Sequence, residues 1–115
     1  MKLIVIYGQK WLDARWLPEV LRCEAFVFYP FIVFKEDKDK VPKTTVRHEL
    51  IHIRQLKRDG LIKSTVLYTY YYVKNYLRYK DFDKAYREIP YEKEAYKKER
   101  YITLTPEEKE VVGWE

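Results

Sequence analysis

Both histidines of the chain fall within five residues, His48-Glu49-Leu50-Ile51-His52. A helix advances about 100° per residue, so positions four apart lie on one face, one turn apart. Two imidazoles stacked in that way can offer nitrogens to a single Zn²⁺ at about 2.0–2.1 Å. Glu49 sits one position on, at the edge of that face, where its carboxylate can reach a water beside the ion without ligating the ion. Two ligands and a general base within one turn are what metal-assisted peptide hydrolysis requires.

A catalytic zinc ordinarily has three protein ligands and one open position. The chain has no third histidine, and its one cysteine, Cys23, excludes both an internal disulfide and a cysteine-based zinc site. The third ligand must then be a carboxylate. The best source is the segment Arg87-Glu88-Ile89-Pro90-Tyr91-Glu92-Lys93-Glu94-Ala95-Tyr96. Pro90 suits the first position of a helix, which puts Glu92 in the first turn. Ala95, one turn further on the same face, is small enough for this helix to pack closely against the one carrying the histidines. The expected centre is His48, His52 and Glu92 around Zn²⁺, with Glu49 as the catalytic base.

The pair His48-Glu49-x-x-His52 and Glu92-x-x-Ala95 resembles the gluzincin zinc metallopeptidases. The Glu-x-x-Ala element is most similar to that of the CAAX-prenyl and heat-shock membrane peptidase families. The chain also resembles the soluble single-domain minigluzincins. Gln55, Tyr86-Arg87 and Glu92-Lys93-Glu94-Ala95 also follow in the order seen in short bacterial and phage proteins of that type. The resemblance covers about residues 25–100. It departs at Tyr96, where the membrane families have an Asp resembling a group that orients a ligating histidine. That part would fall here to Glu99, Glu94 or a backbone carbonyl.

The resemblance implies an α+β fold: a small zincin-like domain with a short sheet whose edge strand lies over the H-E-x-x-H helix, and a second ligand-bearing helix. It implies an edge strand that holds an extended peptide by backbone pairing. Residues 31–36 fit that strand, and fit a plain core strand equally well. The activity expected is hydrolysis of peptide bonds by a metal-activated water, with Glu49 taking the proton and returning it to the leaving amine. An electrophile for the oxyanion would come from Tyr86, Arg87 or Tyr91. The partner is then a peptide or protein substrate.

The elements that must hold these residues follow from periodicity and punctuation. Residues 2–7 read as a strand ended by Gly8. Trp11, Leu12, Trp16, Leu17, Val20 and Leu21 have helical spacing over 9–22, though Pro18 permits only a short or broken helix. Residues 25–36 are aromatic and β-branched, and Pro30 either divides them or puts them at a sheet edge. A helix capped by Thr44 or Thr45 should run to Asp59 and stop at Gly60, with Val46, Leu50, Ile53 and Leu56 as its core stripe. A second helix spans about 61–79, Asp81-Phe82-Asp83 makes a turn, and Pro90 opens a helix to about Arg100. Thr105-Pro106-Glu107-Glu108 is a capping box opening a last helix that ends at Gly113.

At 115 residues, 47% hydrophobic and 36% charged, the chain reads as one folded domain over 1–115. The N-terminal apolar run is too short for a secretory signal, and the stretch 61–79 is interrupted by Lys63, Lys74, Asn75 and Arg78, so no transmembrane segment and a cytoplasmic location are expected. The net charge of +5 is mild, and lysines alternate with glutamates as on a solvated surface. Nucleic acid is accordingly an unfavoured partner, and Tyr68 to Tyr72 reads as helix packing rather than a base-stacking platform. Cys23 reads as a small buried hydrophobe, and Gln55 as either a partner of the ligand face or a surface polar residue. Val111 to Trp114 reads as a tail docked on the body rather than in the cleft. Two other classes remain beside the peptidase: a zinc-binding interaction or inhibitor module without hydrolysis, and a basic aromatic nucleic-acid binder.

Overall fold

The computed structural model describes residues 3–16 and 25–114. Among these, three strands form one sheet in the order β1-β3-β2: β1 (Ile4–Ile6), β2 (Ala25–Phe28) and β3 (Phe31–Phe34). β1 runs parallel to β3, with Ile4 opposite Phe31 and Ile6 opposite Val33. β2 runs antiparallel to β3, with Ala25 opposite Phe34 and Phe28 opposite Phe31. Pro30 divides the apolar segment, its bond to Tyr29 being cis, and the two halves pair as a hairpin.

This corrects one expectation. The segment 31–36 is not an edge strand: Phe31–Phe34 is the central one, and Ile32, Val33 and Phe34 are buried. The edges are β1 and β2, and β2 packs against α1. A strand paired on both sides has no ladder positions left for a peptide, whereas β2 pairs on one side only among the described residues. Lys35 and Glu36 lie beyond the strand, where the Glu36 carbonyl accepts from the Gly8 amide at 2.8 Å.

Five α-helices follow: α1 (Lys43–Asp59), α2 (Leu61–Tyr79), α3 (Phe82–Arg87), α4 (Pro90–Lys98) and α5 (Pro106–Val112). α1 starts behind Pro42 with no side-chain cap, so neither Thr44 nor Thr45 serves as predicted; the Pro42 carbonyl accepts the Thr45 and Val46 amides instead. Gly60, at φ 88°, closes α1 and opens α2, a conformation that disfavours any residue with a Cβ. The helical spacing over 9–22 gives only a 3₁₀ turn, Lys10–Asp13; residues 17–22 and Cys23 lie outside the described residues. α3 occupies what reads in sequence as a turn, because the Asp81 side chain accepts from the Lys84 amide and starts a helix there. The Thr105/Glu108 capping box and the Gly113 terminus of α5 form as expected.

α1 is the middle layer. Val46, Leu50 and Ile53 point one way, into a core with Ile32 and Phe34 of β3, Leu3, Leu104 and Val112. His48, His52 and Gln55 lie on the opposite side of the same helix, and α4 packs against α1. The Tyr7 hydroxyl donates to the Val112 carbonyl at 2.7 Å, and Arg54 of α1 pairs with Glu108 of α5 at 2.6 Å, so the tail docks on the body. No helix among the described residues is long and apolar enough to cross a membrane.

Candidate metal centre

α1 and α4 bring the predicted residues together. Nε2 of His48 lies 2.9 Å from Oε1 of Glu92, Nε2 of His52 lies 3.1 Å from the same oxygen, and the two Nε2 atoms are 3.2 Å apart. Tetrahedral ligands at 2.0–2.1 Å from one centre stand about 3.3 Å from each other, so this triangle has nearly the edge lengths of a zinc ligand face. Glu92 is 2% exposed and His48 is buried, and these three residues form a group that could bind a metal ion. Two imidazole nitrogens and one carboxylate oxygen are a donor set that divalent transition metals accept, zinc among them.

The proximity follows from local sequence. Pro90 starts α4, which places Glu92 in its first turn, and Ala95 is fully buried one turn later. A larger side chain at 95 would hold α4 away from α1 and open the triangle.

The other ring nitrogens are tied down, which decides the tautomers. Nδ1 of His48 lies 2.8 Å from Oε2 of Glu99. A carboxylate only accepts, so Nδ1 donates and Nε2 turns to the centre. Nδ1 of His52 lies 2.9 Å from Oε1 of Gln55, whose amide nitrogen donates to Glu94 Oε1 at 2.7 Å and to the Tyr91 carbonyl at 2.9 Å. Both partners of that nitrogen are acceptors, which orients the amide and leaves its oxygen for the histidine. Hydrogen bonds of this kind fix ring orientation and raise ligand basicity. Glu99 thus occupies the place left by the departure at Tyr96. Tyr96 instead sets its ring edge-on against His48, centroids 4.6 Å apart at 61°.

Electrostatics within the triangle are strongly coupled. Burial alone would lower the His52 pKa, but the hydrogen bond and charge of Glu92 prevail and push it up to about 9. Burial opposes ionisation of Glu92 as well, yet the His48 and His52 hydrogen bonds hold it down at about 2. Burial raises the Glu49 carboxyl, with the two imidazoles pulling the other way. Glu49 faces a cleft of about 960 Å³ between β2, α1 and α2, which His52 and Glu92 also line. It is therefore beside the ligands but outside their triangle.

Sequence reasoning missed one partner. The Tyr68 hydroxyl of α2 donates to Oε2 of Glu92 at 2.8 Å, using the carboxylate oxygen opposite the shorter imidazole contact. Burial and the neighbouring Glu92 charge raise the Tyr68 pKa. Nothing in the tyrosine run distinguishes Tyr68 from its neighbours; only the crossing of α2 over the ligands does. Of the three electrophile candidates, Tyr86 and Tyr91 line the cleft, with the Tyr86 hydroxyl donating to that of Tyr96. Tyr91 donates its hydroxyl to Asp59 at 2.8 Å, away from the ligands, and Arg87 is exposed and pairs with Asp83 at 3.1 Å.

No family model, curated protein or solved structure matches the chain.

Proposed function

We propose that the chain is a zinc metallopeptidase of gluzincin type, built as a zincin-like domain. The observation that carries this reading is the His48, His52 and Glu92 triangle opening on the cleft that Glu49 faces. A bound zinc would acidify a water and polarise a carbonyl there. Glu49, on the cleft wall, would then accept the proton of the attacking water and deliver it to the leaving amine. Tyr86, on the cleft wall, is our candidate to donate to the developing oxyanion, by turning its hydroxyl from Tyr96, while Arg87 is paired with Asp83 and the Tyr91 hydroxyl with Asp59. The β2 edge borders the same cleft through Ala25, Phe26 and Val27, and can receive an extended peptide as an added strand.

The test is zinc content and peptide hydrolysis of the chain beside Glu49→Gln. The expected result is stoichiometric zinc in both proteins, with turnover of an unstructured protein substrate only in the first. Hydrolysis surviving in Glu49→Gln would refute the mechanism. Zinc binding without turnover in either protein would replace it with a zinc-dependent interaction module.

A further inference from the structure

Among the α-helices α2 has the smallest buried share: of its 19 residues, all described, Ser64 alone is buried. Ile62, Val66, Tyr70, Val73 and Leu77 are each at least half exposed, Ile62 at 82%. At about 100° per residue these five fall within an arc of about 80°, a straight apolar stripe about 22 Å long from the first residue to the last. The stripe lies on an exposed ridge, because α2 packs mainly against α1, α3 and α4, through residues on the opposite face such as Ser64, Tyr68 and Asn75. Contiguous exposed apolar surface of this kind marks an interaction site.

Charge indicates what covers it. Residues 61–80 contain no aspartate or glutamate, and Lys63, Lys74 and Arg78 line one flank of the stripe, with Lys80 at its end. A second copy of the chain is a poor occupant, because antiparallel packing of two such helices sets like flanks together and brings the cations of both copies face to face. An exposed ridge also offers a folded partner no groove to fill. We propose that α2 is a docking helix for an anionic lipid surface, lying in the interface plane with the stripe among the acyl chains and the cations at the headgroups. Tyr70 and Tyr71, with apolar rings and polar tips, suit that boundary. Thr65, Thr69 and Tyr72 of the cleft wall lie on the adjoining face of α2, so docking would bring the cleft mouth close to the lipid. This inference does not depend on the metal centre.

The experiment is flotation of the intact protein with phosphatidylcholine vesicles, with and without phosphatidylserine. Flotation is expected with the anionic vesicles only, reduced by added salt. Replacing the stripe (Ile62→Ser, Val66→Ser and Val73→Ser together) should abolish it with an unchanged far-ultraviolet circular dichroism spectrum, since these residues are exposed. Lys63→Gln and Lys74→Gln should each weaken partitioning about five-fold. Failure to float with anionic vesicles would overturn the proposal, as would flotation undiminished in the serine variant. So would a stable dimer or a complex with an acidic protein that the serine variant dissolves and that excludes vesicles.

Discussion

Glu92 in the first turn of α4 and Glu99 at its C-terminal cap, seven residues apart, hold the two nitrogens of His48 between them, at 2.9 Å from Nε2 and 2.8 Å from Nδ1. Ala95 and Tyr96 fill the turn between them, one by being small enough to let the helices close and the other by packing its ring on the imidazole. One short helix therefore provides a ligand, the orientation of another ligand, and the spacing of both.

Glu99→Ala should leave the fold intact and weaken zinc binding by roughly ten- to hundred-fold, the usual cost of losing such a partner. Competition titration against a chromogenic chelator measures it. An affinity unchanged in this variant would mean that Glu99 does not orient His48.

Metal-free stability should peak in mildly acidic solution. The His52 pKa, raised to about 9 from 6.5, contributes stability that is complete below 6.5 and is lost as pH rises through 9. The Glu92 pKa, held at about 2 against 4.5, contributes stability present above 4.5 and lost as pH falls through 2. Between about pH 4.5 and 6.5 both contributions are in force. Zinc must displace the proton on His52, so its affinity should rise with pH toward 9 and the stability maximum of zinc-loaded protein should move upward. Thermal melts across pH, with and without zinc, show both effects; a metal-free protein most stable at pH 9 would contradict the ion-pair assignment.

Tyr68→Phe removes the 2.8 Å hydrogen bond to Glu92 and leaves a buried carboxylate oxygen without that donor. A cost of about 1–3 kcal/mol to metal-free stability is expected. Zinc supplies a new partner for the carboxylate, so the loss should shrink when the metal is bound. Denaturant unfolding in both states compares the two.

Ala95→Leu inserts volume into a fully buried position where α4 meets α1. Overpacking costs about 1–3 kcal/mol, and the separation it forces should reduce zinc affinity while Ala95→Ser preserves it. Equal affinities in the two variants would show that the helix spacing does not set the triangle.

Much of this was legible in residue types alone. The helical spacing of Val46, Leu50 and Ile53, the stop at Gly60, Pro90 and the Thr105 capping box mark their elements locally, because caps and periodicity act within a turn or two. His48, His52 and Glu92 were legible for the same reason: the histidines share a turn, the lack of a third histidine calls for a carboxylate, and Pro90 and Ala95 single out Glu92. α3 was not, since a six-residue helix started by Asp81 has the composition of a turn and is held by its packing on α2, where Phe82 stacks on Tyr76 at 4.4 Å.

The tertiary structure alone decided which strand is the edge and which side chains support the ligands. Residues 25–28 and 31–34 each carry two phenylalanines with β-branched residues between them; Phe31–Phe34 becomes central only because β1, distant in sequence, pairs with its far side. Tyr68 carries no local mark, and Glu99 is one candidate beside Glu94 and a backbone carbonyl, because both roles depend on helices that cross after folding. Composition and spacing can specify what a segment becomes and which atoms could ligate, but contact between segments is a long-range property of the packed chain, and it selects the partners.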